Sequence, residues 1–228
     1  MTPLNIVYRS LVDEKLASRT IRGKVQKTMI LQRAGELFWE KGYTHTTLRD
    51  IARACGFDAA NIYTHFKNKE RLLYEVLKEE MEQTLSVARA ADDAKGSDPS
   101  KRLESLVRNH IELVVGSMKT YRLLFDSELR SLTPAHRKRI IGLRDAYDGI
   151  LRGIIRSGIE RGNFKAMNEK VIGNIIASMI VRTRIWFSST GALSSREIAD
   201  SMCRLVLDGL RSKSKCPAPP RADTVNSS

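Results

Sequence analysis

The chain has 228 residues and a formal net charge of +13, with 42% hydrophobic and 29% charged side chains. That composition can bury a sizeable core and excludes wholesale disorder, and the length suits a small domain joined to a larger one. Cys55, Cys203 and Cys216 stand far apart with no Cys/His spacing around them. This speaks against a disulfide framework and a structural zinc site, and for a reducing, cytoplasmic setting.

The start of the chain lacks a basic segment followed by a long apolar run. The most apolar stretch, Val171 to Ile185, is broken by Asn174, Arg182 and Arg184. Neither a signal peptide nor a membrane span is expected. Charge is uneven: +5 over residues 1–70, −3 over 71–99, +8 over 100–210 and +3 in the tail. Two basic regions suggest two anionic partners, or a solvated basic surface in the second case.

Sustained period-two alternation is absent, so the chain reads as all-α with about nine helices. Residues 1–22 form an N-terminal arm. From Lys24, Ile30, Ala34, Leu37 and Phe38 recur at helical spacing, and Gly42 ends helix one as a C-cap. Thr47 and Asp50 make a capping-box start for a short second helix with Leu48, Ile51, Ala52 and Cys55 inward, and Gly56 stops it. Asp58 is the expected N-cap of a third short helix, Ala59 to about His65, with Ile62 and Phe66 facing in. Asn68 caps a fourth helix, roughly 69–90, on which Leu72, Leu73, Val76 and Leu77 pack back.

A composition break at 92–99, ending in Asp98-Pro99, opens a second helical unit. Its helices are expected over 100–116, 119–131, 134–161, 169–189 and 195–212, the last begun by a Ser194/Glu197 capping box. The Pro- and Ser-rich tail, 213–228, reads as disordered.

Two short helices joined at Gly56-Phe57-Asp58 have the proportions of a helix-turn-helix. The run TTLRDIARACGFDAANIYTHFKNKERLL closely resembles the signature of the TetR family of transcriptional repressors, T-x-x-x-I-A-x-x-A-G-V-S-x-G-x-L-Y-x-H-F-x-x-K-E-x-L. Departures are Cys55 and Phe57 at usual Ala and Val positions, Asp58 for Ser, and Ala60 for Gly. The likeness is strong over residues 23–83, the expected DNA-binding domain, and looser over 84–212, the expected ligand-binding and dimerisation domain.

The third helix is expected to enter the major groove of an operator. Ala59, Ala60, Asn61, Thr64 and His65 are the candidates for base edges, Asn61 for adenine and a small Ala for a thymine methyl. His65 has the alternative of packing against helix one. Thr47, Tyr63, Lys67 and Lys69 suit phosphates, and Arg49 joins the DNA-contacting set. Arg19, Arg22 and Lys24 form either a minor-groove arm or a plain basic extension.

The resemblance implies a two-fold dimer joined by the last two helices, 169–189 and 195–212, and a small-molecule effector in the C-terminal domain. The 169–189 helix is apolar nearly all round, the pattern of a buried helix. On the 195–212 helix Ile198, Met202, Leu205, Val206 and Gly209 line one face. Arg182 shares a face with Val171, Ile175 and Trp186, while Arg184 points well away. A buried Arg182 needs a partner, either internal, such as Asp126 or Glu128, or an anionic ligand group with Trp186 as an apolar wall. Arg122 and Phe125 complete the candidate ligand set.

The run LRSLTPAHRKRIIGLRDAYDGILRGIIRSGIERGNF also looks like the ligand domain of TetR-type regulators that sense acyl-CoA thioesters in lipid or sterol catabolism. Arg137-Lys138-Arg139 is one place to receive CoA phosphates, or a solvated helix start. No catalytic constellation stands out and the four histidines are dispersed, so no enzyme activity, metal or cofactor is expected. The competing expectation is a DNA-bound adaptor that recruits a protein partner.

Overall fold

A computed structural model describes residues 3–93, 96–116, 128–188 and 190–211, with side chains described from Ile21 onward. Eight α-helices are present among them: α1 Pro3–Lys41, α2 Leu48–Cys55, α3 Ala59–His65, α4 Lys69–Asp93, α5 Pro99–Gly116, α6 Pro134–Glu160, α7 Glu169–Trp186 and α8 Ser195–Leu210. Most of the helix expected over 119–131, with Arg122, Phe125 and Asp126, lies outside the described residues. Its last part, Leu129–Ser131, is a 3-10 turn. The 213–228 tail also lies outside them.

Local chemistry sets most boundaries. Thr47 and Ser194 each complete a capping box, and the Thr133 side chain accepts from the His136 N–H just before Pro134. Gly42, Gly56 and Gly162 sit at φ 81, 68 and 75, where a Cβ is strained. Asp58 holds the N-cap position of α3, but its side chain makes no cap bond. Helix α1 reaches back beyond Lys24 to Pro3, since proline suits a first helical turn and none follows before Lys41.

Helices α1–α3 and the start of α4 form the small head, around fully buried Ile30, Phe38, Ile51, Ile62, Phe66, Leu72 and Leu73. In the body, α5 packs on α4, α6, α7 and α8 and buries Leu103, Leu106, Val107, Ile111 and Val114. Helix α4 belongs to both, so the core is continuous from head to body.

The apolar circumference of α7 is divided. Gly173, Ile176, Ile180, Thr183 and Arg184 face in, whereas Val171, Ile175, Ile185 and Trp186 are about half-exposed. The expectation of a helix buried all round is therefore not met among the described residues, where its second apolar face has no neighbour. On α8 the inward stripe is Ile198, Ala199, Cys203, Val206, Leu207 and Leu210 against α5, and Leu205 is 66% exposed.

The loop after α6 is stitched to the end of α8 by a Lys165 N–H to Leu210 carbonyl bond of 2.8 Å. This seats the Phe164 ring over Gly158, where an added Cβ would lie 2.1 Å from the ring. Gly158→Ala is expected to cost about 2–3 kcal/mol by overpacking, a Tm drop of roughly 5–10 °C measured by calorimetry.

Candidate DNA-reading head and effector cleft

The head is built around the α2–α3 turn. Thr47 Oγ1 accepts from the Asp50 N–H at 3.1 Å, and the Asp50 carboxylate takes the Thr47 N–H at 3.0 Å. At the other end of α2, the Gly56 N–H caps the Ala52 and Arg53 carbonyls, and the Phe57 N–H reaches Ala52 O at 2.9 Å. The turn is thus held by backbone bonds, and Ile62 and Phe66 anchor α3 from beneath.

Of the residues expected to contact DNA, Thr47, Arg49, Ala60, Tyr63, Thr64 and Lys67 are exposed, and Ala59, Asn61 and His65 are half-buried. Tyr63 is 58% exposed although large and aromatic, which no packing requirement within the chain explains. Asn61 keeps its Oδ1 buried without a hydrogen-bond partner, so a base contact requires this side chain to turn outward. Thr64 Oγ1 donates to the Asn61 carbonyl at 2.7 Å.

Lys69 departs from expectation. Its Nζ donates to the carbonyls of Tyr43 and Thr46 at 2.8 and 3.0 Å and lies 4.3 Å from the centre of the Tyr43 ring. Those carbonyls belong to the turn after α1, so the ammonium fastens that turn instead of standing free for a phosphate. Thr46, fully buried, ties the same turn by donating to Leu37 O and Gly42 O.

Head and body meet where α4 begins beside the start of α6. Glu70 Oε1 accepts from the Thr133 N–H at 2.9 Å and lies 2.8 Å from His136 Nδ1. The His136 ring stacks on Tyr74 at 3.9 Å, and its Nε2 lies 3.2 Å from an Arg71 nitrogen. Burial alone would push the Glu70 carboxyl up, but the bonds from Thr133 and His136 hold it below the usual carboxylate range. Arg137 is also engaged here, donating to the carbonyls of Leu129, Arg130 and Leu132. Of the basic cluster at this helix start, only Lys138 and Arg139 stand exposed.

Farther along the same two helices lies a cleft of about 660 Å³, walled by α4, α5, α6 and α7. Its inner residues include Glu80, His110, Tyr147 and Arg184; Met81, Ala177 and Val181 are apolar, and Arg144 and Arg182 are the other cations. Arg184 Nη1 donates to Glu80 Oε1 at 2.5 Å, with both side chains almost fully buried. His110 Nδ1 and Tyr147 OH share a 2.8 Å hydrogen bond. Burial, helped by the nearby Arg184 charge, pushes the His110 pKa down to about 3, so the imidazole is neutral. Burial also raises the Glu80 carboxyl, against the pull of Arg184, and raises the Tyr147 phenol.

Residues 96–210, half of the chain, match the family described as tetracyclin repressor-like, C-terminal domain, and residues 30–76 match the bacterial regulatory proteins of the tetR family. The chain belongs to the TetR family. The HTH-type transcriptional repressor KstR2 of Rhodococcus jostii is 26% identical over 189 residues, which span 82% of this chain and 92% of that protein. The structure of the TetR-family regulator PfmR from Thermus thermophilus is 31% identical, with a TM-score of 0.70 over 80% of this chain and 99% of its own. That of AibR, in complex with isovaleryl coenzyme A and operator DNA, is 26% identical, with a TM-score of 0.71 over 79% and 97%.

For this TetR-family transcriptional regulator the exposed side chains of α2 and α3 lie on the helix-turn-helix that the family uses to bind DNA. The four residues expected to meet a ligand are not seen together. Arg182 lines the cleft and is exposed, Trp186 turns to the outer apolar face, and Arg122 and Phe125 lie outside the described residues. The buried arginine is Arg184, not Arg182, because its partner Glu80 comes from α4 on the inner side of α7. A readable signal was Glu80 itself, which falls in register with Leu73, Val76, Leu77, Met81 and Thr84 on a buried stripe.

Proposed function

We propose that the protein is a homodimeric repressor that holds a palindromic operator through α3 and releases it when an acyl-CoA thioester enters the α4–α7 cleft. The cleft carries this reading, since a deep cleft with converging polar groups suits a sensor better than an adaptor with a filled core. Its size suits an acyl chain and thioester arm, leaving the CoA phosphates beside Arg144. The likeness to AibR supports the ligand class. Dimerisation covers the exposed stripe of Val171, Ile175, Ile185, Trp186 and Leu205. Tyr63, Thr47 and Lys67 hold phosphates, and Ala60, Thr64 and an outward-turned Asn61 meet base edges.

Release requires the thioester to favour a conformation in which the two recognition helices no longer match the half-sites. Helices α4 and α6 both line the cleft and both enter the Glu70–His136 junction, so a shift of either wall strains that contact. His136→Ala is expected to leave thioester affinity within about threefold while raising the concentration needed for DNA release at least tenfold, the mark of lost coupling. Calorimetric titration and mobility shift, run side by side, separate the two quantities.

The test of the function is a mobility shift on the DNA upstream of the gene, with a panel of acyl-CoA thioesters and the matching free acids. Release by a thioester alone is expected. A shift indifferent to the whole panel would overturn the thioester and move the assignment to another ligand class or to the adaptor.

A further inference from the structure

The inner wall of the cleft is polar in a way that an acyl chain ending in hydrocarbon does not need. Glu80, His110, Tyr147 and Arg184 come from four different helices, and each is less than a tenth exposed. Glu80 gives Oε1 to Arg184, while its Oε2 is buried and has no hydrogen-bond partner, so a ligand in the cleft reaches it once the carboxylate turns toward that space. Such an atom is costly to leave unserved, and here it belongs to a residue that lines a cavity.

The neighbouring pair supplies the complement. A neutral imidazole and a phenol carry two polar hydrogens between them, and their mutual 2.8 Å bond uses one. With His110 Nδ1–H donating to the phenol oxygen, the Tyr147 O–H is left to donate to a third group. The wall therefore offers an acceptor and a donor together. A hydrocarbon terminus would bury both unmet, and a carboxylate would bring a second anion to Glu80. A hydroxyl meets both, since it donates and accepts at once.

We propose that the effector is a hydroxylated acyl thioester, its hydroxyl donating to Glu80 Oε2 and accepting from the His110–Tyr147 pair. The assignment of the carrier as CoA rests on the function proposed above; the assignment of the hydroxyl rests on this wall.

Calorimetric titration of the full-length wild-type protein tests the two separately. The probes are saturated acyl-CoA thioesters, their 3-hydroxy and ω-hydroxy counterparts of equal carbon number, and the matching free acids. At least one hydroxylated thioester is expected to bind about tenfold or more tightly than its saturated counterpart, because a site built for a hydroxyl discriminates against its loss. Tyr147→Phe is expected to bring that ratio below about threefold with the saturated probe unaffected. Saturated thioesters that bind as tightly as all their hydroxylated counterparts overturn the hydroxyl assignment and leave the thioester reading standing. Hydroxy acids preferred over plain acids, with no thioester bound, do the reverse. Failure of every probe overturns both. The wild-type comparison needs no variant to fold.

Discussion

Ile175→Asp is expected to turn the protein into a monomer and to weaken binding to a full operator by about a hundredfold or more, while binding to a single half-site stays within about threefold. Ile175 is 49% exposed in the single chain, so an aspartate there is hydrated and costs the monomer little beyond its modest helix propensity. In a two-fold dimer the same substitution appears twice in a surface shared with Val171, Ile185 and Trp186, where a carboxylate loses its water without gaining a partner. The loss of DNA affinity follows from geometry: without the tether, the second half-site must be filled by an independent molecule. Light scattering reports the mass and mobility shift reports the affinity. A stable dimer with unchanged operator binding would contradict the assignment of this face.

Arg184→Met is expected to destabilise the body by about 3–5 kcal/mol, since it strands the Glu80 carboxylate in a buried site. The pH dependence has a definite sign. Burial already raises the Glu80 carboxyl above its unfolded value, and removal of Arg184 takes away the charge that opposes the rise. The folded variant then binds a proton that the unfolded chain releases, so its stability falls as pH rises and recovers as pH is lowered. Thermal melts between pH 8 and 5.5 are expected to show this recovery in the variant more strongly than in the wild type. Adding Glu80→Leu is expected to restore most of the loss at neutral pH, because the stranded charge is gone. A double variant no more stable than Arg184→Met would place the damage in packing instead.

The head was legible because its determinants are local. The Thr47–Asp50 box, the αL glycine at 56 and the inward Ile62 and Phe66 all act within a turn or two of their own positions. The duty of Lys69 was not legible, since the carbonyls it holds lie more than twenty residues away and leave no mark beside it. The two arginines of α7 were assigned the wrong way round for a related reason. A helix apolar on two faces does not reveal which one turns inward, and here Glu80, about a hundred positions earlier, settles it. The chemistry of the cleft was hidden likewise, as its polar residues are spread over four helices.

Helix α4 is continuous from Lys69 past Glu80, eleven residues and about 16 Å along its axis at the usual helical rise. A tilt of about 5° pivoting at Glu80 therefore carries the Lys69 end roughly 1.4 Å sideways. In a two-fold assembly the displacements of the two copies add, so the recognition helices can part by about 3 Å against a duplex spacing of about 34–36 Å. Hydrogen bonds to base edges do not survive a mismatch of that size. In the dimer proposed above, pairing two identical chains would double the mechanical gain, and a displacement too small to disturb one copy's half-site would be enough to dislodge the pair.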